Sequence, residues 1–310
     1  SGPGKTKNPN DLECTPGGSS SGSAAAVSDY MVPLAIGSQT GGSVLRPASF
    51  TGILGFKPTF GTISRSGMSP ISQRLDHPGI YANCVEDIDL VASVILSYDS
   101  EDLDMIQNYQ YKNDLNLNKS LKFGFVRGPV WNFGDEDMKN GIEEFVKNSQ
   151  LDIEELELGK DFEDAAKAHE IIMNGSIANS LINYYQADKS NLHPFTVKRI
   201  EAGIPISASD YVSAIEQAKK MEQNLRQLFL KYDAIITPSA PGQAPRDLMN
   251  TGNAIFNGYW TMMGIPAISL PFLKGDDNLP IGVQFITNWK EDFKLLEICK
   301  EVLKKEKLAD

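Results

Sequence analysis

The stretch of residues 16–59, PGGSSSGSAAAVSDYMVPLAIGSQTGGSVLRPASFTGILGFKPT, limits the fold more than any other part of the chain. Its glycine, serine and alanine content is that of a flexible linker, but linkers of that composition lack apolar runs. Here residues 24–27, 32–36 and 53–56 supply them. The order reads loop, helix, buried strand, loop, helix, strand. Residues 23–31 carry the strong helix formers Ala24, Ala25 and Ala26. The apolar run 32–36 is short and ends at Gly37, which predicts a buried strand. Pro47 fits the first turn of a second helix after Ser43. Residues 55–59 predict another strand, ended by Pro58. Two glycine pairs each hand over to a serine, Gly17-Gly18-Ser19 and Gly41-Gly42-Ser43. Glycine allows backbone shapes and close approaches that other residues forbid, so the repeated device predicts two hydroxyls brought to one place.

The rest of the chain alternates helix and strand patterns. Residues 85–96 place Val85, Ile88, Val91, Ala92 and Ile95 at helical spacing. Residues 121–126 read as a strand, 135–148 and 165–185 as helices. A long helix over 207–232 has Ser207 as its cap and Asp210 in its first turn. Strands follow at 233–238, 267–270 and 281–287, and residues 293–304 close as a helix. Such alternation predicts an α/β layered fold. A chain of 310 residues can bury a large core. We read residues 1–310 as one domain, with the polar stretch 99–118 as an insert or linker within it.

The net charge of −11 argues against nucleic acid, which selects basic surfaces, and against anionic membranes. No apolar run approaches membrane-spanning length. Cys14, Cys84 and Cys299 are odd in number and widely spaced, with neither a disulfide framework nor a zinc spacing. A reducing, cytoplasmic location is the simple expectation. There is no HExxH and no carboxylate cluster with ligand spacing, so no metal is expected. The fragment Gly2-Pro3-Gly4-Lys5-Thr6 ends like a phosphate-binding loop, but nothing precedes it and Pro9 follows, which argues against one.

Four motifs resemble the amidase signature hydrolases. They are GGSSSGSAAA at residues 17–26, GSQTGGSVLRPA at 37–48, GFKPTFG at 55–61 and SQRLDHPG at 72–79. Residues 252–271 and Gly282-Val283-Gln284 continue the likeness. The resemblance implies a central mixed β-sheet covered by helices on both sides. It implies that Ser43 is the nucleophile and that Ser19, after a cis peptide bond, is a bridging serine. Thr40, Gly41, Gly42 and Ser43 match the loop whose amides form the oxyanion hole. A lysine several tens of residues before the bridging serine completes the family's triad. Lys5 and Lys7 stand too close to Ser19 for that role. The expectation is therefore an N-terminal segment outside this chain or, alternatively, a non-catalytic relative.

Serine alone is a weak nucleophile at neutral pH and needs a base. Donors aimed at the developing oxyanion contribute about 3 kcal/mol each. A neutral lysine can serve as the base, because burial lowers its pKa. Taken alone, Ser19 and Ser43 also fit helix capping. A Ser-His-Asp relay is a rival, but His77 adjoins Asp76, and His169 and His193 stand alone, so surface or packing roles suit all three and Asp76 is expected to fix a loop. Arg46, three residues after Ser43, either holds the loop through a salt bridge or forks a substrate carboxylate. Many family members have aspartate where Gln39 stands. The resemblance to malonamidase-like members at Gln39 and Arg46 implies the carboxylate fork. Gln243, Asn257, Tyr259 and Trp260 lie on loops or a helix that could flank the pocket. The expected activity is hydrolysis of a small-molecule amide, without a cofactor. The glutamine-hydrolysing component of a tRNA-dependent amidotransferase is the alternative, and a homodimer is among the assemblies left open.

Overall fold

The computed structural model describes residues 5–111, 117 and 120–307. Helix α1 (Ser21–Ser28) leads into β1 (Leu34–Gln39), α2 (Leu45–Thr51) and β2 (Leu54–Lys57). Strand β3 (His77–Ala82) and helix α3 (Val85–Ile95) follow. The middle of the chain gives β4 (Lys122–Phe125), α4 (Glu136–Asn148), β5 (Asp152–Glu155), α5 (Ala165–Asp188), α6 (Pro194–Gly203) and α7 (Ala208–Leu228). The last elements are β6 (Ala234–Pro238), α8 (Ile255–Met262), β7 (Ala267–Lys274), β8 (Pro280–Ile286) and α9 (Asp292–Lys307).

Local chemistry sets the boundaries. Ser207 Oγ accepts the Asp210 amide at 3.0 Å and starts α7, satisfying a donor that the helix cannot. α2 ends at Gly52, whose φ of +74° is a left-handed cap that glycine adopts without strain.

Among the described residues, the strands form one sheet in the order β1-β3-β2-β7-β8-β6-β4-β5. β4 runs parallel to β5 and β6, whereas the other pairs are antiparallel, so the sheet is mixed. Alternation along β3 sends Tyr81 to one face, against Ala24 and Val27 of α1 and Ala48 of α2. Ile80 and Ala82 join Leu54 and Phe56 in the main core, with residues of α3 and α9. Helices thus cover both faces, as expected. α5 packs on α6, α7 and α8, which brings the helical middle of the chain over the elements that carry the glycine loops.

The structure departs from the sequence reading at several elements, strand β3 among them, for which that reading has no strand. The run 32–36 predicts a buried strand, but β1 starts at Leu34 and lies at the sheet's edge. Only β3 pairs with it among the described residues, so Ile36 stays exposed. An apolar run does not say how many neighbours a strand has. β5 is not legible in the sequence, since Asp152, Ile153, Glu154 and Glu155 give no apolar alternation. Nor is α6, which starts at Pro194 with His193 Nδ1 accepting the Phe195 amide.

The described part of the 99–118 stretch is fastened to the fold. Arg65 pairs with Asp102 and Asp104, the Ile106 amide donates to Gly61 O at 2.8 Å, and Tyr109 and Tyr111 hydroxyls reach Asp292 and Asp89. Residues 112–116 and 118 of that stretch, and Gly2, Pro3 and Gly4 of the phosphate-loop fragment, lie outside the described residues. The three cysteines are free thiols. No helix among the described residues is long and apolar enough to cross a membrane.

Candidate active site

The two glycine–serine loops meet at the amino-terminal ends of α1 and α2. Gly17 has a φ of +82°, and a Cβ there would stand 3.0 Å from Pro47 Cα, so glycine alone lets this loop lie on α2. The Gly18–Ser19 peptide bond is cis, as the resemblance implies. Arg46 Nη2 donates to Gly18 O at 2.6 Å. Ser20 Oγ donates to Ser38 O and accepts the Ser38 amide, at 3.2 and 3.1 Å. The Tyr81 hydroxyl donates to Ser43 O at 3.0 Å. These bonds tie the Ser19 loop, the end of β1 and the Ser43 turn into one assembly.

The loop from Thr40 to Ser43 is held from behind. Gln39 Oε1 accepts the Val44 and Leu45 amides at 2.8 and 3.0 Å. Gln39 Nε2 donates to Thr261 Oγ1 at 2.9 Å; that hydroxyl has Gly41 O at 2.6 Å and Asn257 O at 2.9 Å in reach, and the shorter contact takes its proton to Gly41 O. His169 Nε2 stands 3.2 Å from Thr40 O. Thr40 Oγ1 donates to Asp76 Oδ1 at 2.6 Å, while Asp76 Oδ2 accepts the Ile71 and Ser72 amides. Asp76 therefore fixes a loop, as the sequence predicts. The C=O and N–H of a trans peptide point in opposite directions. With the Thr40 and Gly41 carbonyls engaged on one side, the Gly41 and Gly42 amides face the other. Among the described residues, no acceptor takes the Gly41, Gly42 or Ser43 amide. Gly42 also permits a close approach: a Cβ there would collide with Asn257 Oδ1.

Neither serine caps a helix. Ser20 and Val44 are the N-cap residues of α1 and α2, both without a side-chain cap bond, and Gln39 takes the first amides of α2 instead. The Ser43 and Ser19 hydroxyls make no hydrogen bond among the described residues, so both are uncommitted. Ser43 is half-buried and Ser19 exposed.

Arg46 is only 5% exposed, and its Nε has no partner among the described residues. Burial pushes its pKa down to about 10. No carboxylate pairs with it among the described residues, so the salt-bridge reading finds no partner there. A buried guanidinium without a counter-charge is costly to keep.

The histidine relay does not form. His77 is buried with Nδ1 on Leu75 O at 2.6 Å, and His193 caps α6. Burial, with Lys57 nearby, holds His77 well below the usual histidine range. Lys57 is itself buried, with its pKa pushed to about 7 by burial, but its Nζ donates to Ile265 O at 2.6 Å and Pro58 O at 3.1 Å. It is thus occupied away from both serines. A cavity of about 910 Å³, lined in part by Arg65, Asp102, Ser176 and Tyr211, shares only Asp76 with the bonds that hold the Thr40–Ser43 loop. Sequence reasoning misses His169, Thr261 and Tyr81 as supports of the loop, because nothing local in α5, α8 or β3 signals a contact with a segment so far away in the chain. Asn257, one of the residues that could flank the pocket, is fully buried behind Gly42.

A family model described as Amidase matches residues 1–296. The chain is 32% identical to the A component of the glutamyl-tRNA(Gln) amidotransferase from Fusobacterium nucleatum, covering 97% of this chain and 69% of that protein. To the same component from Agathobacter rectalis it is 31% identical, covering 91% and 63%. The solved structure of the Thermotoga maritima counterpart matches with a TM-score of 0.77 at 30% identity, over 94% of this chain and 66% of that one. A 6-aminohexanoate cyclic dimer hydrolase matches with a TM-score of 0.81 at 22% identity, over 96% and 69%, and so shares the fold. The chain therefore spans 63% to 69% of the proteins it is compared with here. The matches support the family as a whole and do not single out its malonamidase-like members.

Proposed function

The chain belongs to the amidase family, and from that premise we propose that it hydrolyses a carboxamide through an acyl-enzyme on Ser43. One observation carries the proposal: an uncommitted Ser43 hydroxyl directly follows the Gly41 and Gly42 amides, which have no acceptor among the described residues. In this scheme Ser43 Oγ attacks the amide carbon and gives its proton to Ser19, which passes its own to a base. The carbonyl oxygen becomes an oxyanion held by the Thr40–Ser43 amides. The C–N bond breaks as the nitrogen takes a proton back through Ser19, and water then releases the acid and frees Ser43. The base is proposed to be a neutral lysine from outside these residues, since no described lysine bonds to either serine. No cofactor enters the scheme.

Arg46 supports a substrate that carries a carboxylate. Its unpartnered Nε and the lack of a described carboxylate beside it leave a buried positive charge that a bound anion would complete. A small acidic amide, as for malonamidase-like members, and glutamine both fit that chemistry. The identity with the glutamyl-tRNA(Gln) amidotransferase components favours glutamine and a role in a complex that delivers ammonia to a partner.

The test is turnover of glutamine, a malonic half-amide and a neutral amide by wild type and variants. Ser43→Ala should abolish hydrolysis with the fold intact, and Ser19→Ala should slow it by orders of magnitude. Arg46→Ala should lower kcat/KM for the acidic amides much more than for the neutral one. Equal losses would make Arg46 structural. Turnover that survives Ser43→Ala sinks the acyl-enzyme scheme. Strong activity from residues 1–310 alone would show that another group is the base.

A further inference from the structure

We propose that His169 is a positioning residue for this reaction, which aims the Gly41 amide at the oxyanion by holding the Thr40 carbonyl behind it. The inference rests on the acyl-enzyme reading and adds a residue that nothing in the family motifs marks. Its basis is geometric. Thr40 O can only accept, so the contact of 3.2 Å requires the proton on His169 Nε2. The carbonyl of Thr40 and the amide of Gly41 belong to the same peptide unit. A donor on the carbonyl fixes the plane of that unit and polarises its N–H, strengthening the amide as a donor on the other side.

The ring has little freedom to leave. It is wedged between two glycines, with its Cε1 3.5 Å from where a Gly41 Cβ would stand and its Nδ1 2.7 Å from where a Gly258 Cβ would stand. Burial holds His169 near a pKa of about 4, so the ring is neutral at ordinary pH and adds no charge beside the oxyanion. Gly41 O is held in the same manner by Thr261, which aims the next amide, that of Gly42. The two carbonyls are thus pinned from α5 and α8, and those helices pack on each other.

The experiment compares His169→Leu, which fills the volume without a donor, with His169→Gln, which restores an N–H near the Nε2 position. Gly258→Ala is an independent perturbation, because its Cβ would push the imidazole off Thr40. On glutamine, kcat for His169→Leu should fall roughly tenfold with KM within about twofold, as for a donor that acts in the transition state. His169→Gln should recover most of the loss. Gly258→Ala should lose as much as His169→Leu, and the double variant no more than either. In the protein without substrate, the Gly41 amide proton resonance should move upfield in His169→Leu and return in His169→Gln. The proposal is overturned if His169→Leu keeps wild-type kcat, if the glutamine variant falls as far as the leucine one, or if the Gly41 resonance stays in place. Ser43→Ala in the same assay separates the two readings: turnover there refutes the acyl-enzyme scheme, whatever His169 does.

Discussion

Two neighbouring glycines should respond in opposite ways to the same substitution. A Cβ on Gly42 would stand 3.0 Å from both Asn257 Cγ and Ala254 Cβ and would overlap Asn257 Oδ1. Carbon pairs settle at about 3.5–4.0 Å, so something must move by about 0.5–1 Å. Asn257 yields only at a cost. It is fully buried, and its Nδ2 donates to Ser239 O at 2.9 Å and Gln284 Oε1 at 3.1 Å. Breaking those bonds costs about 1–3 kcal/mol for each buried group left unpaired. If the loop moves instead, the Gly42 amide leaves its place, and under the proposed scheme the loss of one oxyanion donor costs about 10²–10³ in kcat. At Gly41 the nearest atoms to a Cβ are His169 Cε1 at 3.5 Å and Ala254 Cβ at 3.6 Å, which is ordinary contact. Gly41→Ala should therefore stay within about threefold of wild type, whereas Gly42→Ala should lose at least about a hundredfold in kcat/KM or melt several degrees lower. Hydrolysis kinetics and thermal melts on both variants decide it. Equal behaviour of the pair, or a Gly42→Ala protein that works and melts like wild type, would falsify the account of the loop.

Acid should destabilise the protein in a histidine-dependent way. His169 has its pKa pushed by burial from 6.5 to about 4, and His77 is pushed the same way. The unfolded chain thus binds more protons over that window, so stability is fully present above about pH 6.5 and falls as pH drops towards 4, by about 3 kcal/mol from His169. Denaturant titrations should show a shallower acid slope for His169→Gln; an unchanged slope rejects the assignment. Lys57→Met should cost about 2 kcal/mol in the same assay, because Ile265 O and Pro58 O lose a buried donor. Burial lowers the Lys57 pKa from 10.5 to about 7, so wild type should also gain stability from pH 7 towards 10 more steeply than the variant. A methionine variant as stable as wild type at every pH would show that those carbonyls find other donors.

The parts of the fold that are legible in the sequence are those whose signal is local. The helix over α3 is legible because Val85, Ile88 and Ala92 are both periodic and buried. The cap at Ser207 is legible because the donor it satisfies lies three residues on. β5 is not, since its pairing with β4 depends on backbone bonds that its acidic side chains do not advertise. The edge position of β1 is hidden for a related reason. Burial of a strand is decided by its neighbours, and the order that sets β3 between β1 and β2 is a property of the whole sheet.

The candidate site divides along the same line, and Gln39 shows why. Its neighbours Thr40, Gly41, Gly42 and Ser43 can be read from the chain as a tight loop before a helix. What the loop rests on cannot, because it comes from α5, α8 and β3. Gln39 does two opposite tasks at once: its oxygen accepts two amides at the start of α2, and its nitrogen donates to Thr261. A carboxylate could perform the first task but not the second, having no proton to give. Facing an aspartate, the Thr261 hydroxyl would be drawn to the charge and away from Gly41 O. The glutamine before Thr40 is therefore matched to a threonine on α8 that sends its own proton to the Thr40–Ser43 loop. The glutamine is visible in the sequence. Its consequence for the direction of the Gly41 carbonyl becomes readable only when Thr261 is seen beside it.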